Sequence, residues 1–350
     1  MVQYTLNNLT DVIFWLGTNH QEHLQTVLTR LFVHPGKKPT TIHVYEPLLD
    51  ADGTIANNMT FDDTRRNIFV IMSGEGHSEK EYSTFLARWD SFGEFSKISK
   101  QDIILYTTAF ELPSRQYHHV QNMSGMIRIT MDLSGKSLLF SPTEKHFVCL
   151  NREHRWQRQY LVEEIFKRNL DRHGMISYLA PPPETTMKDL YPLVIDDKNI
   201  SIEQGFNLTN KIKNAAINVI TETSFENNEG LIDAPGITEK TFKITLMCQL
   251  PLFVSSYKTV YHYRLLGFDP FDDIIDHNSY DLIEDPVERL EKVLSLLKHQ
   301  ICARPWSYFH HLREDSLDRF YHNLKVMDNQ ISLQPTILLW YNKLVEMNVL

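Results

Sequence analysis

Glu239, Lys240 and Lys243 place one carboxylate and two ammonium groups within the stretch DAPGITEKTFKI, residues 233–244. Pro235 and Gly236 mark a turn and Thr238 is a good N-cap, so a helix is expected to open at Glu239. A helix N-terminus presents unpaired N–H groups and partial positive charge, which suits phosphate. The lysines would neutralise that phosphate and Glu239 would accept the hydroxyls of a sugar. A plainer reading gives Glu239 to the helix dipole and pairs it with Lys243, worth roughly 0.2–0.5 kcal/mol. This stretch alone favours the plainer reading.

A second cationic cluster stands in LNREHRWQR, residues 150–158. Arg152 falls just past an expected strand end, and Arg155 and Arg158 share one side of the first helical turns. Cations at a helix N-terminus oppose its dipole. A bound anion would explain them, since guanidinium forks match phosphate in bidentate fashion. The competing reading is a solvated run balanced by Glu153, Glu163 and Glu164. TETSFENNEG, residues 221–230, contributes Glu222, Phe225, Glu226 and Asn227 in a loop at the same strand end as Glu239. It is either a solvated loop or part of the same site.

In the first third of the chain, SGEGH (73–77) closes an expected strand. Its two glycines permit close approach of a ligand, so Glu75 is the first candidate general base and His77 the second. The bland alternative is a strand–helix turn capped by Ser78. Asp50 and Asp52 have the Asp-X-Asp spacing of a divalent-metal site, but Asp-Gly also makes an ordinary turn, which is the preferred reading. Sixteen histidines include the pairs His118-His119 and His310-His311, none with a Cys or carboxylate at ligand spacing. No metal centre is expected.

The elements that must position these groups alternate between short apolar runs and amphipathic helices. Strands are expected at 11–17, 41–47, 67–76 and 102–110, with helices at 20–32 and 78–92. The stretch 132–145 is rich in turn formers and could link two domains. The pattern restarts with strands at 146–151, 174–179, 214–223 and 249–256 and a helix at 155–170. A further helix at 285–301 carries Val287, Leu290, Val293, Leu294 and Leu297 on one face. Mostly parallel sheets covered on both faces follow from this order, as two Rossmann-like domains over 1–140 and 146–325 with a helical tail, 326–350. In such sheets ligands bind outside the C-terminal strand ends.

The bulk properties are those of a globular protein: 350 residues, 42% hydrophobic, 23% charged. A net charge of −9 argues against a generally basic nucleic-acid-binding surface without excluding a local groove. No apolar run reaches the ~18 residues of a membrane span, and no cleavable leader is read at the N-terminus. Cys149, Cys248 and Cys302 are widely spaced in apolar contexts, which fits a reducing cytoplasm.

The segments TETSFENN…GITEKTFKITLMCQLPLFVSS, CLNREHRWQR and LLGFDPFDDIIDHNSYDLIEDPVERL together resemble the donor-binding half of α-1,3-fucosyltransferase-like and exostosin-like glycosyltransferases. The similarity is greater to a group found in phages, giant viruses and some bacteria. It covers roughly residues 146–300 and hardly touches 1–140. The position after Lys243, often Pro in that group, is Ile244 here. The resemblance implies an α/β fold of GT-B type, two Rossmann-like domains with a nucleotide-sugar in the cleft between them. It implies that Glu239 binds ribose hydroxyls, that Arg152, Arg155 and Lys240 or Lys243 neutralise the diphosphate, and that Phe225, Glu226 and Asn227 flank the sugar.

The resulting expectation is a metal-independent, inverting glycosyltransferase using a UDP- or GDP-linked donor and no cofactor. Three acceptor readings stay open: a glycan or other hydroxylated small molecule, 5-hydroxymethylcytosine in DNA, or no acceptor at all in a non-catalytic nucleotide-sugar-binding protein. A basic stripe would favour DNA, but Lys37, Lys38, Arg65, Arg66, Lys97 and Lys100 are diluted by acids.

Overall fold

The computed structural model describes residues 2–5, 40–45, 66–72, 99, 103–107, 118–121, 127, 130–131, 137–179, 185, 187, 212–223, 225, 237–331, 343 and 346–347. The chain is an α/β protein that divides into two compact units. One comprises Met1–Gly125, Asn228–Ala234 and Asn329–Leu350, the other Met126–Asn227 and Pro235–Asp328. The division falls at residue 125, so the turn-rich stretch before residue 145 belongs to the second unit. There the Leu139 N–H donates to Leu246 O at 2.6 Å.

The first unit contains a five-stranded sheet of β1 (Val2–Thr5), β2 (Thr40–Tyr45), β3 (Arg66–Met72), β4 (Ile103–Thr107) and β5 (His118–Gln121). Its strands lie in sequence order, β1 antiparallel to β2 and the other pairs parallel. That order contains no reversal, so these strands lack the topological switch point of a doubly wound sheet. The expected strand 11–17 and helices 20–32 and 78–92 lie outside the described residues.

The second unit is built on a four-stranded, fully parallel sheet of β6 (Lys145–Asn151), β7 (Gly174–Tyr178), β8 (Ala215–Thr221) and β9 (Leu250–Val254), in the order β7-β6-β8-β9. The sequence of each strand explains its place. His146 to Cys149 of β6 and all five residues of β9 are buried, the continuous apolar pattern of strands covered on both faces. Pro251, which cannot donate to a ladder, is tolerated because β9 is an edge strand. Gly174 opens β7 under the ring of Phe147, where a Cβ would come within 2.4 Å of the ring carbons.

Among the described residues this unit has six α-helices: α1 (Trp156–Lys167), α2 (Glu239–Leu246), α3 (Thr259–Leu265), α4 (Pro286–Leu296), α5 (Trp306–Asp315) and α6 (Leu317–Ile331), the last three residues of α6 being assigned to the other unit. Asp285 accepts the Glu288 N–H at 2.7 Å and Pro286 takes the first position of α4. Leu290, Val293, Leu294 and Leu297 of α4 and the π turn that follows it face the core. Val287 does not: it is 46% exposed, while Arg289 is buried in its stead. The strand order reverses between β6 and β8, so right-handed crossovers place α1 and α2 on opposite faces. Helix α4 packs against α1 and β9, and α5 against β6 and β8.

Candidate anion site at the switch point of the second sheet

The strand order reverses between β6 and β8, and the C-terminal strand ends at such a reversal are where open α/β sheets bind ligands. Asn151 ties the strand ends together there. Its amide accepts from Thr221 Oγ1 at 2.7 Å and donates to Ser177 O at 3.3 Å, and its carbonyl accepts the Leu179 N–H at 3.0 Å. One buried amide thus joins β6, β7 and β8, so within Leu150-Asn151-Arg152 the asparagine is structural and the arginine faces outward.

Helix α1 begins beside this knot with no acidic residue in its first turn and no side-chain cap at Arg155. Arg152 and Arg155 are exposed, and the one ion pair of Arg152 among the described residues, to Glu153, is long at 3.9 Å. Arg158 is different: it is 4% exposed, and its guanidinium donates to Glu153 O and Thr221 O, both at 3.1 Å. Its buried Nε–H has no acceptor among the described residues. Burial, reinforced by Arg155, lowers its pKa, and Glu222 opposes the shift. The three arginines therefore split into two that can reach a ligand and one that braces the loop against β8.

Glu222 follows β8 directly and is fully buried. Its carboxylate accepts the Thr238 N–H at 3.1 Å, the Thr238 hydroxyl at 2.7 Å and the Thr241 hydroxyl at 2.5 Å. It is thereby the anion at the N-terminus of α2, filling part of the place that the sequence reading assigned to phosphate. Thr238 is the N-cap, as its spacing implied, with its side chain accepting from Lys240 N. Glu239 and Lys240 are partly exposed and pair at 3.2 Å, and Lys240 Nζ also reaches Thr238 Oγ1 at 3.1 Å. Lys243 lies one turn on, partly exposed.

Phe225 is buried against the edge of Trp156 at 5.4 Å between ring centroids, which links the loop after β8 to the start of α1. Arg289 lies over the same ring at 4.9 Å and donates to Phe225 O at 2.6 Å, Ser255 O at 3.0 Å and Ile283 O at 2.6 Å. Burial pulls its pKa down to about 10. Nothing in the sequence marks Arg289 for this role, since it only flanks the apolar stripe of α4.

The aspartates of DPFDDIIDHNSYD are largely engaged in structure. Asp269 and Asp273 bind Arg319, Asp272 forms a bidentate pair with Arg264, and Asp281 accepts the Val260 and Tyr261 N–H groups at the start of α3. Glu75, His77, Glu226, Asn227, Asp50 and Asp52 lie outside the described residues. Among the described residues no group of three or more His, Cys, Asp or Glu is arranged to hold a metal, and no helix is long and apolar enough to cross a membrane. All three cysteines are free.

The sequence matches no protein-family model and no curated protein.

Proposed function

We propose that the chain is a nucleotide-sugar-dependent glycosyltransferase of GT-B type, with its donor bound at the crevice of the second sheet. The observation that carries this reading is the uncapped N-terminus of α1. Exposed Arg152 and Arg155 stand there at the switch point, with no acid in the first turn to satisfy them. Glu239, one residue into α2, offers a carboxylate oxygen to ribose hydroxyls, while Lys240 or Lys243 adds charge near the diphosphate. Arg158 and Glu222 act behind them, bracing the two loops.

The chemistry asked of these groups is electrostatic. As the bond from sugar to diphosphate breaks, negative charge grows on the leaving oxygens, and cations already fixed in place stabilise it without reorganising. This reading needs no metal. Deprotonation of the acceptor hydroxyl falls to Glu75, or failing that to His77. The acceptor is a hydroxylated molecule, with 5-hydroxymethylcytosine in DNA as the first substrate to try and a glycan as the second.

The deciding experiment is a thermal-shift screen against UDP, GDP, CMP, dTDP and ADP. Ligand at a hundredfold excess over Kd adds about 2.7 kcal/mol of stability, so UDP or GDP should raise the melting temperature clearly. If no nucleotide does so, the reading fails. If one does, its sugar conjugate is offered to hydroxymethylated duplex, unmodified duplex and simple glycans. Binding without transfer to any of them would favour a non-catalytic nucleotide-sugar-binding protein.

A further inference from the structure

Helix α3 turns an apolar side to solvent. Tyr261 and Leu265, four residues apart and so on one face, are 44% and 61% exposed. Asp281 brings a second apolar segment beside them. Its carboxylate accepts the Val260 and Tyr261 N–H groups at 2.8 Å each, and its carbonyl accepts the Lys258 N–H at 2.9 Å. Leu282 follows at once and is 57% exposed, and Val287 in the first turn of α4 is exposed as well. Two segments about 20 residues apart are thus fastened together where both show apolar side chains to water. Exposed apolar residues scattered singly are ordinary, whereas neighbouring ones mark a contact surface.

Charge selects what covers it. Asp276, Asp285 and Glu288 are exposed along the same turns. Of the nearby cations, Arg264 is held by Asp272 and Asn278, Arg289 is buried, and Lys258 is half-buried over the Tyr257 ring at 4.9 Å. Lys292, one turn beyond Glu288, is the exposed exception. An anionic membrane surface would be repelled by these carboxylates. A second copy presenting the same face would be repelled too, in a chain of net charge −9.

We propose that this surface docks a basic amphipathic helix of another protein. The apolar stripe of that helix covers Tyr261, Leu265 and Leu282, and the Lys or Arg residues beside the stripe meet Asp276, Asp285 and Glu288. None of these side chains belongs to the proposed donor site, so the two readings stand or fall separately.

The test measures fluorescence anisotropy of three labelled peptides with the full chain: a leucine–lysine helix with its leucines on one face, the same composition with scrambled spacing, and a leucine–glutamate helix. The first should bind the wild type, and the other two should bind at least tenfold more weakly. The double variant Leu265→Ser, Leu282→Ser should weaken the first peptide about tenfold or more with the melting temperature unchanged, because both side chains are largely in water before binding. Each single serine variant should give part of that loss, so one that melts early leaves the other to decide. Glu288→Lys should weaken binding about threefold, an effect that fades as salt is added. Equal binding of the scrambled peptide would reduce the attraction to net charge, and equal binding of the glutamate peptide would remove charge from it; either outcome sinks the proposal. So does unchanged affinity in the double serine variant, or a wild type that binds no peptide. Self-association of the wild type that the serine variants abolish would make a second copy the occupant. Co-sedimentation with anionic phosphatidylserine vesicles, lost in the same variants, would make it a membrane. Both results overturn the basic helix.

Discussion

Glu222 and Thr238 meet twice: one carboxylate oxygen accepts the threonine's backbone N–H at 3.1 Å, the other its hydroxyl at 2.7 Å. The end of β8 is thereby fastened to the start of α2, and Glu239, the next residue, is carried to the crevice on a braced backbone. Glu222→Ala would strand a buried N–H and two hydroxyls, at a cost of about 3 kcal/mol. Urea unfolding should show that loss, and nucleotide affinity should fall with it as α2 shifts. A variant of wild-type stability would mean that the brace carries no energy.

Glu239→Ala should behave in the opposite way. If its carboxylate takes ribose hydroxyls, nucleotide binding weakens by about 2 kcal/mol while the melting temperature hardly moves. Loss of stability with unchanged affinity would return Glu239 to the helix dipole and place the ligand elsewhere.

Gly174→Ala puts a methyl group 2.4 Å from the ring carbons of Phe147, which is fully buried and has no room to yield. Overpacking of this kind costs about 1–3 kcal/mol. Phe147→Leu in the same chain should recover part of that loss. Equal destabilisation with and without the second change would show that the clash is not with this ring.

His277 links the acidic segment to the sheet and gives the fold a pH dependence. Its Nε2 donates to Pro270 O at 2.9 Å and its Nδ1 accepts the Tyr280 hydroxyl at 2.7 Å, while Tyr280 in turn accepts the Phe253 N–H at 3.1 Å. Burial holds its pKa down to about 4, from an ordinary 6.5. The unfolded chain therefore takes up a proton below pH 6.5 that the folded chain refuses. Its contribution is fully present above that pH and is lost as pH falls toward about 4, on the order of 3 kcal/mol in all. Unfolding of wild type and His277→Gln across this range should show their stability difference shrinking as the pH falls. A constant difference would remove His277 as the cause.

The strands of the second sheet were legible because continuous apolar runs such as FVCL and LPLFV admit few other readings. The chemistry of single residues was less so. Arg158 and Glu222 read like the candidate ligand contacts beside them because charge type and spacing cannot tell a group that touches a ligand from one that braces its loop; burial decides that. Arg289 escaped because it and Val287 flank the same helical stripe, and apolarity pointed to the valine. Val287 is exposed because the guanidinium has backbone carbonyls to reach and the valine has nothing comparable inside.

The seam between β6 and β8 also bears on how the crevice comes into being. The β6–β7 contacts at Asn151 join residues 26 apart, whereas the bonds from Arg158 and Asn151 to Thr221 join residues 63 and 70 apart. Closing the longer loop costs more chain entropy, so β6 with β7 and β8 with β9 can pair as local units before the seam unites them. A chain emerging from the ribosome would carry the arginine-bearing half well before the half bearing Glu222 and Glu239 is made. Until the two join, Thr221 is absent from beside Arg158, and the arginines stand on a loop with nothing to aim them. The candidate site is thus a late product of folding, and its appearance during synthesis would report that the second sheet is complete.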